Sequence, residues 1–252
     1  MKARIIALAN HKGGVGKSTT TACLGAALVR LGHKVLVVDL DAQQNLTFMM
    51  TGNEEHDQSI YDALVKKAPL PIVEGHGGVD VVPASLDLAR VDIDLFTVIA
   101  KERKLEMLLC EVAEDYDYIL IDCPPSLGTI VTNALVAADE LYIPLTAEAL
   151  PLKGLAMLED VVKEVKQLVN PRLRIGGVIF TRYNKRRLNN EVVKIVKESY
   201  GDAVFNTKIR ENITVAEMPL TGQTIYEYDP ESAAAADYNS LAEEIIERHK
   251  QI

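Results

Sequence analysis

A chain of 252 residues, 48% apolar and 25% charged, is long enough to bury a sizeable core as one large α/β domain or two small ones. It has no apolar run of transmembrane length and no signal-peptide pattern, and its three widely spaced cysteines, Cys23, Cys110 and Cys123, suggest reduced thiols in a cytoplasmic protein and no disulfide frame. A net charge of −9 argues against a chain-wide grip on nucleic acid, but residues 182–210 hold eight Lys/Arg against three acids, so +5 sits there and −14 on the rest.

In chain order, the apolar run 5–9 predicts a strand and the pattern over 19–31 a helix. Between them lies HKGGVGKSTT at 11–20. Strand, glycine turn and helix together are the setting a phosphate-binding loop requires. Gly13, Gly14 and Gly16 let the backbone around Val15 turn its N–H groups inward, and the following helix points its positive dipole end at the same place. Lys17 can reach terminal phosphates and the Ser18 hydroxyl can ligate Mg²⁺. These residues point to a nucleoside triphosphate. The usual pattern G-x-x-x-x-G-K-[ST] is departed from at its first position, which is His11, and an extra lysine, Lys12, precedes the paired glycines.

The β-branched run 34–38 predicts a buried parallel strand ending in the acids Asp39 and Asp41, which alternate and so can share one side of the chain. Residues 42–47 read as a polar loop or a helix start. A short helix capped by Ser59, a turn cluster at 75–78 and a short strand at 79–82 follow. Helices are expected over 84–90 and 97–114, the latter turning Leu105, Leu108 and Leu109 inward. The run 118–121 predicts a strand closed by Asp122 and followed by Cys123-Pro-Pro-Ser126. Further on, strands are expected at 141–145, 175–180 and 203–205, helices at 129–138, 153–169, 188–200 and 233–250, and loops at 209–213 and 221–224. This rhythm means parallel βαβ units, hence an α/β fold with a doubly wound, mostly parallel sheet flanked by helices. No C-x-x-C or H-E-x-x-H pattern offers a transition-metal site.

The motif K-G-G-V-G-K-S-T at 12–19, with D-L-D at 39–41, D-C-P-P-S at 122–126 and T-G-Q-T-I-Y-E-Y-D-P at 221–230, resembles the ParA/Soj/MinD family of deviant Walker A P-loop ATPases over almost the whole chain. The resemblance is nearest to the short ParA/Soj-type partitioning proteins. It implies one P-loop domain over 1–252, without an N-terminal helix-turn-helix arm, with ATP and Mg²⁺ as cofactors. It further implies a homodimer closed by ATP, a ParB-like centromere-binding partner and nonspecific DNA as ligand. Lys12 would reach across the dimer and Lys17 would act in its own subunit. Ser18 and Asp122 would organise Mg²⁺, with Asp39 supporting the metal or orienting the loop. Asp41 would position or activate the attacking water, and Thr19 would contact the α-phosphate side. The segment 148–155 resembles the family stretch that opens the next long helix, and adenine contacts are expected from the loops after 180 and 208.

Two departures bear on activity. The family's D-P-Q-G reads Asp41-Ala42-Gln43-Gln44 here, and the late arginines expected at two positions are Thr214 and Glu231. Arg182, Lys185, Arg186, Arg187 and Lys194 are the candidates for a substitute DNA surface, with a solvated basic face as the bland alternative. Two other functions stay open. A MinD-like positioning ATPase at a membrane would want a basic amphipathic tail, and the tail here holds three glutamates, so no membrane is expected. A metabolic or redox relative, an amidoligase-type synthetase or an iron protein, would want more from Cys123 than a small buried side chain.

Overall fold

A computed structural model describes residues 3–147, 152–218 and 221–251, the side chains at 152 and 153 excepted. Seven strands form one sheet: β1 (Arg4–Leu8), β2 (Val35–Asp39), β3 (Val73–Glu74), β4 (Asp80–Val82), β5 (Tyr118–Asp122), β6 (Glu140–Thr146) and β7 (Arg174–Thr181). Their order is β3-β4-β2-β5-β1-β6-β7, and every pairing is parallel except that of the edge strand β3 with β4. The connections run outward from β1 to one side through β2 and β4, then cross back so that β6 and β7 lie on its other side. That reversal opens a crevice at the carboxyl end of β1, where open α/β sheets bind ligands.

The alternation of side chains along β1 divides the core. Ala3, Ile5, Ala7 and Ala9 pack on one face with α5 (Lys104–Val112), α6 (Thr129–Ala137) and α7 (Leu152–Leu168). Ile6 and Leu8 pack on the other face with α1 (Lys17–Arg30) and α11 (Ala233–Lys250). Shorter helices complete the chain: α2 (Asn45–Thr51), α3 (Ile60–Lys66), α4 (Val91–Asp94), α8 (Arg187–Tyr200), α9 (Ile213–Glu217) and α10 (Ile225–Tyr228). α1 is buried along most of its length because it lies between sheet and α11. Its small residues allow the approach: a Cβ at Gly25 would fall 3.1 Å from Val37 Cγ1.

Most predicted elements are present within two or three residues of their expected bounds. Four differ. The helix expected from 97 begins only at Lys104, after a 3₁₀ turn over Lys101–Arg103, because Ala100 adopts φ 54°, which breaks the helix. Leu105 and Leu109 are buried as expected, while Leu108 is half-buried. Residues 84–90 form a 3₁₀ turn over Leu86–Arg90 that leads into α4. The strand expected at 203–205 reduces to one bridge between Val204 and Val178, because Phe205 folds over the bare backbone of Gly177, where a Cβ would fall 2.0 Å from its ring. The loop expected at 209–213 ends in α9, capped by the Asn212 side chain accepting from Thr214 N–H at 2.9 Å. Positions 148–151 of the family-like stretch at 148–155 lie outside the described residues.

Candidate nucleotide site

The loop between β1 and α1 turns on two glycines in the left-handed region, Gly14 at φ 72° and Gly16 at φ 82°. α1 opens at Lys17 with no acid in its first turn, so its N-terminal N–H groups are free to meet an anion. Lys17 is only 7% exposed; Lys12, five residues earlier, is exposed. Val15 is buried, and its carbonyl accepts from the Thr181 hydroxyl at 2.9 Å. Asn10 donates to Pro144 O at 2.7 Å and accepts from Lys12 N–H at 3.0 Å. The loop is therefore pinned to the ends of both β6 and β7. Sequence reasoning missed Asn10 and Thr181 as anchors. The only signal was a polar residue closing each apolar strand.

Two cavities share the glycines. One, of about 330 Å³, is lined by Gly13, Lys17, Ser18, Thr19 and Asp41. The other, of about 600 Å³, meets it at Gly14, Gly16 and Thr19 and is walled by Thr181, Arg182 and residues from the 209–216 stretch, with Tyr238. These are the two loops from which adenine contacts were expected. Together they offer the volume of a nucleotide, with a polar phosphate end and a more apolar end.

Sheet register brings the acids together. Leu8 pairs with Asp122, and Asp122 with Asp39, so the two carboxylates stand on adjacent strands. Both are fully buried. Asp39 is well supplied with donors: Asp41 N–H at 3.0 Å on one oxygen, Thr47 N–H and hydroxyl at 2.8 Å on the other. Burial nevertheless pushes its carboxyl up, against those hydrogen bonds. Asp122 has no hydrogen-bond partner on either oxygen among the described residues. Burial, then the Asp39 charge, lift its carboxyl well above the usual range, against the pull of Ser18 and Lys17. A buried carboxylate left unpaired beside Ser18 and Lys17 fits a hard cation that keeps most of its shell in water and phosphate oxygens, as Mg²⁺ does. No group of three or more His, Cys, Asp or Glu that could hold a metal ion is found among the described residues. Asp41 is half-buried at the mouth of the smaller cavity. Cys123 is buried in the core, and burial pushes its thiol up, as expected of an apolar packing residue.

The basic segment is divided by the fold. Arg182 lines the larger cavity with Glu211, 4.0 Å from it, and so stands apart from the other candidates. Lys185 lines a separate groove of about 450 Å³ with Tyr183 and Lys208. Arg186 caps α8; Arg187 pairs with Glu191 at 3.0 Å; Lys194 is exposed on the same helix. Arg210 is engaged by Asp237 at 2.7 Å. Thr214 is buried and Glu231 exposed.

A family model described as an AAA domain (AAA_31) matches residues 3–175. The chain is 41% identical over 252 residues to the chromosome-partitioning ATPase Soj of Treponema pallidum, covering 98% of this chain and 99% of that one. It is 42% identical over 248 residues to the sporulation initiation inhibitor protein Soj of Bacillus subtilis, covering 96% and 98%. Its fold matches that of Mycobacterium smegmatis cobyrinic acid a,c-diamide synthase with bound ATP analogue and magnesium, at a TM-score of 0.87 and 31% identity over 98% and 96% of the two chains. A phosphate loop with two lysines, set where a parallel sheet reverses and matched nearly end to end by Soj proteins, puts the chain in the ParA/Soj/MinD family of P-loop ATPases, with ATP and Mg²⁺ as its nucleotide and metal.

Proposed function

We propose that the chain is a DNA-partitioning ATPase, a single P-loop domain acting in the cytoplasm, which dimerises on binding ATP and is stimulated by a ParB-like centromere-binding protein. The observation that carries this reading is the contrast between the two lysines of one loop: Lys17 is buried and lines the phosphate cavity, while Lys12 is exposed to solvent next to Gly13, which lines the same cavity. A solvent-exposed lysine there is free to meet a phosphate that approaches from outside, as a second subunit's nucleotide would. Apolar side chains on the segment leaving the carboxyl end of β4 support association on that face: Leu86, Ile93, Phe96 and Ile99 are all at least 70% exposed.

In this mechanism the loop N–H groups and Lys17 neutralise the phosphates, and Thr19 contacts the α-phosphate side. Ser18 and Asp122 would hold Mg²⁺, which when bound spreads positive charge over the phosphate oxygens. Asp39, held by Thr47 and Asp41 N–H, orients the loop, and Asp41 aligns the attacking water. Lys185, Arg186, Arg187 and Lys194 form the surface for nonspecific DNA, and Arg182 belongs to the nucleotide cavity. The terminal helix favours this reading over a membrane-positioning one. The apolar side of α11, with Leu241 and Ile245, is spent in the core.

The test is sedimentation velocity and phosphate release with Mg-ATP. Lys12→Ala should stay monomeric. Asp41→Ala should dimerise yet lose turnover by about 100-fold or more. A Lys12→Ala protein that still dimerises with ATP would falsify the sandwich.

A further inference from the structure

We propose that Gln44 is a positioning residue for ATP hydrolysis: it locks the turn that carries Asp41, in a backbone conformation that glycine would adopt without cost. Gln44 sits at φ 57°, ψ 21°, in the left-handed region, and forms the N-cap of α2. A β-carbon there crowds its own backbone, so the conformation persists only if something holds it. The side chain supplies the hold. It is 8% exposed, and its amide Nε2 donates to Glu54 O at 2.7 Å and, more weakly, to Ala84 O at 3.4 Å. These carbonyls belong to two separate segments, one after α2 and one after β4.

The contacts close a ring around the acids. Gln44 N–H donates to Asp41 O at 2.9 Å. Asp41 N–H donates to one oxygen of Asp39 at 3.0 Å. The other Asp39 oxygen accepts from the Thr47 hydroxyl at 2.8 Å, and that hydroxyl accepts from Ala84 N–H at 2.9 Å. Ala84 O returns to Gln44. Asp41 is thereby held at its N–H and its carbonyl, and its Oδ1 accepts from Gln43 N–H at 3.0 Å. With the residue fixed at all three, the second carboxylate oxygen has little choice of direction at the phosphate cavity. The ring touches neither Lys17 nor the glycines, so loosening it should leave nucleotide affinity alone and disturb the chemical step.

This inference rests on the role given to Asp41 above, and the experiment separates the two. Single-turnover phosphate release and KM for Mg-ATP are measured for Gln44→Ala, Gln44→Gly, Asp41→Ala and the double variant Asp41→Ala/Gln44→Ala. Gln44→Ala should lower kcat by about 10-fold or more, since small misplacements of a catalytic group are costly, with KM within about 2-fold. Gln44→Gly, which takes the left-handed turn without strain but lacks the anchor, should also be slowed, by a smaller factor. The double variant should be no slower than Asp41→Ala, because Gln44 acts through Asp41. Wild-type kcat in both Gln44 variants, beside an inactive Asp41→Ala, sinks the role of Gln44 alone. Equal slowing by Gln44→Ala with and without Asp41 would show a general structural effect and sink it too. An active Asp41→Ala protein overturns both assignments.

Discussion

The side chain of Asp122 has both oxygens buried with no hydrogen-bond partner among the described residues, beside a second buried acid. Burial and the Asp39 charge lift its pKa above that of an unfolded aspartate, so the folded chain holds more protons than the unfolded one. By linkage, stability then falls as pH rises from the unfolded value to the folded one, and the loss persists above it. Asp122→Asn should therefore raise the melting temperature of the nucleotide-free protein near neutral pH, by roughly 3 °C for each kcal/mol recovered. The same change should abolish the extra stabilisation that Mg²⁺ adds to ATP. A melting temperature below the native one would show that the charge is already compensated. At this scale the motif residues were legible in advance, because the chemistry of phosphate binding restricts which side chains can stand in the loop. Gln44 was legible only as a departure. That its amide compensates for the missing glycine depends on two carbonyls, one 10 and one 40 residues further along the chain.

Elements were readable where hydrophobic period and length agreed, and unreadable where a single backbone angle intervened. β1, β2, β5 and β6 sit at the centre of a parallel sheet, are buried on both faces, and so appear as unbroken apolar runs. Ala100 ends a helical pattern because of a left-handed φ that no local residue type announces. Helix ends were equally hidden. α6 stops at Ala137, and its last carbonyls are met from a distance: Asn170, buried, donates through Nδ2 to Leu135 O, Val136 O and Ala138 O at 3.0, 3.0 and 2.7 Å. Asn170→Ala would leave those acceptors without a donor. It should cost about 2 kcal/mol in urea denaturation, while the KM for ATP stays native, since the P-loop is untouched. A loss within the error of the extrapolation would mean that the helix end relaxes to find other donors.

For the whole molecule, what matters is where charge faces. The acidic total conceals a basic stretch at 182–210, and the fold removes part of what the linear count suggested. Arg210 is engaged by Asp237, and Arg182 stands in the nucleotide cavity near Glu211. Arg186 and Arg187 remain at the exposed start of α8. Reversing both to Glu should weaken ATP-dependent DNA binding by about 10-fold or more at moderate salt and lower the salt slope by roughly two, one for each lost phosphate contact. An unchanged slope would move the DNA surface elsewhere. The sequence by itself determined the ligand class and the order of strands and helices, because a phosphate cradle and a buried strand each demand residue types that few other structures use. Only the tertiary structure decided that Asp39 and Asp122 are neighbours, that Asn10 and Thr181 brace the loop, and which arginines face solvent. Those facts depend on sheet register and on contacts between distant segments, and local pattern carries no record of either.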